Sequence, residues 1–394
     1  MSASIAASGL NAVNDQLDSI SNNIANAGTV GYKSSTTQFS AVYAGSQAMG
    51  VTTAGTAQSI TRSGSMMSTG NAMDLAISGN GFFITRSPSG DVSYTRAGYF
   101  ETDLNGKIVD NQGNFVQGYP VDANGNLQTG TVTDLSVSTG NIPAKASSKV
   151  DFTANFDASS TVPTVTPFDS ANSASYNNTY TSQVYDSLGQ QHTLTQYMVK
   201  TGDNTWEIHY GMDGKNLDQT TTLNFNTNGS LVTTPPTVLT VPVAGAADLS
   251  ISLDYSSCTQ YGSAFSVTAN NADGYASAER TGVAIDDDGG VYATYSNGER
   301  MLQGQIVLAN FANPNGLTPQ DGTSWTASSE SGAAIIGTPG TGMYGSLDSG
   351  MLESSNVDIT SELVELMGAQ RNYQADTKVI ATDDELMQSL FQSI

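Results

Sequence analysis

The chain has 394 residues and little of what catalysis, membrane insertion or nucleic-acid binding would need. One cysteine, Cys258, excludes an intrachain disulfide. Lysine and arginine number 13 against 36 acidic residues, a formal net charge of −23, so neither nucleic acid nor an anionic membrane surface is an expected partner. No apolar run approaches the roughly 18 residues of a membrane span, so no membrane insertion is expected. No basic residue precedes Lys33, and the early apolar residues are spaced apart, so no cleavable secretory signal is expected either.

Proton-shuttle residues are equally scarce. The two histidines, His192 and His209, lie in a Thr-rich region with no serine or cysteine elbow nearby, and they read as polar residues on exposed strands. Cys258, in LDYSSCTQYG, has no second cysteine or histidine beside it and reads as a small buried side chain. The Asp-rich turns at 103–106, 122–125 and 286–290 resemble calcium loops, yet Lys107 and Asn297 stand where an EF-hand loop needs oxygen ligands at its fifth and twelfth positions. Hairpin turns favour Asp, Asn and Gly for backbone reasons alone. No enzyme activity, cofactor or metal is expected.

What the chain has is glycine, 40 residues of it, with abundant Ser, Thr and Asn, and enough apolar residues (38%) for real cores. Its length implies two to four domains. Two segments carry a helical period, one at each end. Leu10, Val13, Leu17, Ile20 and Ile24 recur at steps of three and four, the a/d seam of a coiled coil. Ile359, Leu363, Leu366, Tyr373, Ile380, Met387, Phe391 and Ile394 do the same, interrupted by Gln370, Thr377 and Asp384. Gly28 and Gly31 offer left-handed positions after the first stripe, and Ser355 and Asp358 offer N-cap oxygens before the second.

A short helix rich in Ser, Asn and Gly is marginal in water, so each stripe needs a partner. The complementary stripe in this chain is the other one. The expected fold is therefore multidomain, mainly β with α-helical coiled-coil termini, its domains nested and discontinuous. Residues 1–33 and 356–394 form a paired helical domain, and 34–70 an extended connector. Residues 71–145 and 280–355 form a β-rich proximal domain, with turn signals every eight to ten residues from 81 to 130 and again from 282 to 311. Residues 146–279 form an inserted all-β outer domain. Assembly helices at both ends of a β-rich chain favour a polymer-forming subunit.

The segment SNNIANAGTVGYK, residues 21–33, closely resembles the N-terminal signature of the flagellar rod and hook axial proteins, A-N-N-[IL]-A-N-x-x-T-x-G-[YF]-K. Asn22, Asn23, Ala25, Asn26, Thr29, Gly31, Tyr32 and Lys33 match it, with Ser21 in place of the small first residue. GNAMDLAISGNGFFI (70–84), residues 94–120 and the C-terminal 44 residues from Met351 resemble the same family. Length and the large insertion are similar to its hook-type members; distal rod or hook-filament junction members are the alternatives.

The resemblance implies a homopolymer of many copies forming a curved tube, with the flagellar rod protein, a hook cap and a hook-filament junction protein as neighbours. It also implies export through the flagellar type III apparatus and an extracellular position at the hook and basal body. From residues alone, a rival class is a secreted adhesin or carbohydrate-binding module, for which exposed Trp206 and Tyr210 would be the argument.

Overall fold

The computed structural model describes residues 2–392 other than 45–46, 123–124 and 234, with the side chains of a few more, Phe391 among them, outside the description. It divides into two compact units. The first comprises Met1–Thr139, Gly282–Thr294 and Arg300–Ile394; the second comprises Gly140–Thr281 and Tyr295–Glu299.

Helix α1 (Ser2–Ala25) and helix α2 (Ile359–Gln392) belong to the first unit and pack together. Their register is antiparallel: Asn23 of α1 bonds Glu362 at the start of α2, and Gly9 lies against Asp376 about four turns further along. That register sets Ser2 level with Asp383, so the last turns of α2, Leu386 and Met387 among them, run past α1. Asp358 caps α2, its Oδ1 accepting from Thr360 N at 2.9 Å and its Oδ2 from Ser361 Oγ at 2.9 Å. Of the two glycines after α1, Gly31 takes a positive φ of 72° and Gly28 does not. The helix unwinds instead through turns closed by Asn26 O to Thr29 N and Thr29 O to Tyr32 N.

Residues 34–70, expected as an extended connector, contain a long antiparallel ribbon. Strands β1 (Ser35–Ala44) and β2 (Gln47–Gln58) pair along their length, with register shifts at Gln38/Phe39 and Val42/Tyr43. The ribbon lies on α1 through polar contacts. Thr37 Oγ1 donates to Asp15 O at 3.2 Å, Thr53 Oγ1 to Asp15 Oδ2 at 2.5 Å, and Ser19 Oγ to Ser35 O at 3.1 Å. No apolar alternation marks these strands because hydroxyl bonds to the helix, not a buried apolar face, hold them.

The rest of the first unit is an antiparallel sheet in which the two halves of the chain interleave. Its strand order runs Arg300–Ile306, Phe115–Pro120, Phe82–Arg86, Val92–Thr95, Ser324–Thr326, Thr318–Gln320. Phe82, Tyr94, Phe311 and Trp325 pack edge to face beneath it, with ring centroids 4.8–6.0 Å apart. Strand Met351–Glu353 pairs with Met66–Ser68, and Ser346–Ser349 with Leu75–Ser78, so the chain entering α2 is stitched to the chain leaving β2.

The second unit has two sheets around one core. Strands Asn178–Tyr185, Gln191–Gly202, Thr205–Met212 and Lys215–Asn224 form an antiparallel meander. Strand Lys149–Asp157 lies within the other sheet, parallel to Leu249–Asp254 and Thr259–Tyr261 and antiparallel to Ser266–Ala272. Strict alternation buries Val150, Phe152, Ala154 and Phe156 from one sheet against Trp206, Ile208 and Tyr210 from the other. Where the sequence places the boundaries at 146 and 279, the unit extends to 140 and 281, because Ile142 and Lys145 bridge to Ala278 and Tyr275.

Candidate assembly surface and its anchoring motif

The α1–α2 contact is thinner than its two stripes suggest. Val13, Ile20 and Ala369 are buried, with Leu17, Ile24 and Leu366 half-buried around them; Leu10 is half-buried too. On α2 the face toward α1 is rotated from the expected seam. Ala369, Glu362 and Asp376 approach α1, whereas Leu363, Tyr373 and Met387 stay exposed; Ile380 is half-buried, and the Phe391 side chain and Ile394 lie outside the described residues. Small residues explain the rotation: Ala6 and Ala12 are buried on α1, and a Cβ on Gly9 would stand 2.7 Å from Asp376 Oδ2. Close approach over small side chains turns the large ones outward. Among the described residues, Ile359, Leu363, Val364, Met367, Tyr373, Val379, Leu386 and Met387 form the exposed apolar set of α2.

The signature segment is the anchor that sets this helix pair on the β-structure. Asn22 and Asn26 close the end of α1, Asn26 Nδ2 donating to Asn22 Oδ1 at 2.7 Å, and Thr29 Oγ1 donates to Asn26 Oδ1 at 3.2 Å. Ala25 is exposed as the last helical residue. Asn23 is 1% exposed and fully used: it donates to Ser35 O (2.8 Å) and Glu362 Oε1 (3.0 Å), and accepts from Ser35 N (2.9 Å) and Tyr32 Oη (3.2 Å). One amide thus ties α1, the ribbon, the motif and α2. No other side chain type supplies two donors and a two-pronged acceptor in so small a volume.

Gly31 is needed for shape. Its N donates to Glu353 O at 2.8 Å, and a Cβ there would lie 2.6 Å from Ala97 N. Lys33 then enters a buried ion cluster. Its Nζ donates to Glu353 Oε1 at 2.7 Å and Arg62 O at 2.8 Å, while Arg96 Nη1 donates to Glu353 Oε2 at 3.1 Å. All three side chains are at most 5% exposed. Desolvation pushes both Lys33 and Arg96 below their ordinary pKa values, and the shared carboxylate counters it. Asn356 completes the join, accepting from Ser34 N at 2.7 Å and donating to Ser59 O and Arg62 O. The sequence signals Lys33; nothing in it signals Glu353, Arg96 or Asn356 as partners from over sixty to over three hundred residues away.

The remaining candidates have structural explanations. Asp103 Oδ1 accepts from Asn105 N and Lys107 N, and Asp110 Oδ1 from Gln112 N and Asn114 N, so these carboxylates brace their own turns. Among the described residues no group of three His, Cys, Asp or Glu side chains is placed to hold a metal. Cys258 is 2% exposed, with its thiol pushed up to about 11, by burial first. The histidines are less exposed than expected: His209 stacks on Phe168 with centroids 4.1 Å apart, and His192 lies between two aspartates. Trp206 and Tyr210 are wholly buried, Trp206 Nε1 donating to Gln260 Oε1 at 2.9 Å, which removes the aromatic argument for a glycan-binding surface.

Four known families match successive parts of the chain: the flagella basal body rod protein family over residues 4–33, the flagellar hook protein FlgE/F/G D1 domain over 76–153, the flagellar basal body protein FlaE D2 domain over 155–275, and the flagellar basal body rod FlgEFG protein C-terminal family over 348–393. The chain is 41% identical to the flagellar hook protein FlgE of Escherichia coli K12, over 99% of both chains. It is 40% identical to that of Salmonella typhimurium, again over 99% of both, and 36% identical to that of Rhizobium meliloti over 97% of this chain and 96% of the relative. In fold it is similar to the crystal structure of Helicobacter pylori flagellar hook protein FlgE2, with a TM-score of 0.56 and 14% identity over 73% of this chain and all of that one.

Proposed function

Because the chain belongs to the flagellar hook protein family, we propose that its copies polymerise through the terminal helices into a curved tube that joins the basal-body rod to the filament, transmits motor torque and encloses the export channel. The observation that carries this reading is the apolar set left on α2 after α1 has packed: Leu363, Val364, Met367 and Leu386 are 46–65% exposed. Neighbouring copies would bury it. Leu10, Val13, Leu17, Ile20, Ile24, Leu366 and Ile380 would set the pairing within each copy, and Leu363, Tyr373, Met387 and Phe391 the contacts between copies. The signature from Asn22 to Lys33 would hold each helix pair to its β-structure under load.

In this reading the domains nest as helix pair, ribbon, β-rich unit and inserted unit. The subunit is not an enzyme. It leaves through the flagellar type III apparatus and works outside the cell, against the rod protein, the hook cap and the hook-filament junction protein. A continuous helical inner layer would resist twist, while polar outer surfaces exchange contacts at little cost as the curve rotates. Electron microscopy of a strain lacking the gene is the test. Basal bodies with rods and no hooks are expected; normal hooks would overturn the assignment.

A further inference from the structure

Assembly does not account for the Asp186–Gln190 turn and the strand that follows it. His192 stands two residues past this turn, at the start of strand Gln191–Gly202. Its Nδ1 lies 2.7 Å from Asp213 Oδ2, and its Nε2 lies 3.4 Å from Asp186 Oδ2. A neutral imidazole has one N–H and cannot donate to two carboxylates; an imidazolium can. The other oxygen of each carboxylate is already committed. Asp186 Oδ1 accepts from Leu188 N and Gln190 N, and Asp213 Oδ1 from Thr193 N at 2.8 Å.

The surroundings make this arrangement consequential. The Asp186 side chain is 2% exposed and that of His192 15%, so on this side water replaces little of what the ring provides, whereas the Asp213 side chain is 49% exposed. Asp213 holds a left-handed φ of 50° without being glycine. Gly189, at φ +81°, packs so closely that a Cβ would stand 2.8 Å from the Ala144 Cβ, next to Ala276; Ser187 Oγ accepts from Ala247 N. The turn therefore braces the segments by which the chain enters and leaves this unit.

We propose that Asp186, His192 and Asp213 form a proton-operated clamp within the inserted unit: the protonated ring locks the 186–190 and 213–214 turns together, and loss of its proton releases them. The hydrogen bond that the ring donates to Asp213, with a further one to Asp186, raises His192 above its ordinary 6.5 against the pull of partial burial. Burial opposes ionisation of both aspartates, yet backbone N–H groups and His192 outweigh it and hold them below their ordinary range; Lys215 adds a positive neighbour to Asp213. A raised histidine contributes its stabilisation below its unfolded pKa and loses it as pH rises through the folded one. The lowered aspartates lose theirs only as pH falls through their own folded values. The clamp is closed in mild acid and opens on the alkaline side.

With two histidines in the chain, imidazole C–H NMR of the full protein reads two titrations. His192 is expected above 6.5, and His209, desolvated, below it. Asp213→Asn lowers the His192 midpoint and leaves His209 in place. Amide exchange at 188–193, corrected for its intrinsic rate, accelerates as pH passes the His192 midpoint, by about tenfold for each unit that this midpoint exceeds the unfolded value. His192→Gln shows no such step. A wild-type His192 midpoint at or below 6.5, or wild-type protection indifferent to pH, overturns the clamp, and both are read without any variant.

Discussion

The inserted unit and the helix pair solve burial in opposite ways. In the first, twenty buried side chains close one core, with Phe156 in ring contact with both Trp206 and Phe225, and Tyr210, Tyr255 and Gln196 joined by buried hydrogen bonds. In the second, the apolar cluster between helices of 24 and 34 residues has, among the described residues, three buried members, with Leu17, Ile24 and Leu366 half-buried around them. A unit with its own core can be stable alone. A seam of three, on helices with Ser, Asn and Gly, leaves its stability to whatever covers the outward face. In the proposed reading, stability and assembly fall to different parts of one chain, and the signature segment ties the helix pair to the β-structure of the first unit.

That contrast can be broken most severely at Glu353. Glu353→Ala strands Lys33 and Arg96 as buried cations, and a loss of about 5 kcal/mol is expected in the first unit, at the upper end for a broken buried pair. Chemical denaturation should show that transition collapse while the second unit's transition stays. Trp206→Ala reverses the pattern: about 4 kcal/mol is lost from the second unit through the cavity and the stranded Gln260. The reporter is Cys258, whose buried thiol should resist labelling in the native chain and react early in this variant.

Gly31→Ala sharpens the comparison at the junction. A positive φ and a Cβ driven onto Ala97 N should cost about 2 kcal/mol or more, read as a lower first-unit midpoint. The smallest effect on the free subunit carries the most information about assembly. Leu363→Ser with Met367→Ser should shift monomer stability by no more than about 0.5 kcal/mol, since both side chains are exposed. Sedimentation should nonetheless find no tubes. A large stability loss, or undiminished assembly, would place these residues in the wrong class.

Legibility in the sequence follows the range of the interactions. Local signals were readable: the turn spacing from 81 to 130 and from 282 to 311, the Asp358 cap, the Gly31 turn, and the recurrent Asp-x-x-Gly hairpins. The β1–β2 ribbon was not, because Thr and Ser hydroxyls bonding a helix leave no period. The rotation of α2 escaped for a related reason. Periodicity weighs Leu363 above Ala369, while close packing over Gly9 favours the smaller residue. The ion cluster was out of reach altogether, since Lys33, Arg96 and Glu353 are brought together only by tertiary folding.

The cluster also shows where the scarce cations go. Of 13 lysines and arginines, Lys33 and Arg96 are sealed inside, Arg86 and Lys107 both serve Asp134, and Lys145, Lys149 and Arg300 each face an aspartate. Seven of the 13 thus answer carboxylates of their own copy, and each copy carries a formal charge of −23. The proposed tube would then be a polyelectrolyte whose members repel at range and cohere by contact, so dissolved salt, by shortening the reach of that repulsion to about 10 Å at 0.1 M, would become an ingredient of it.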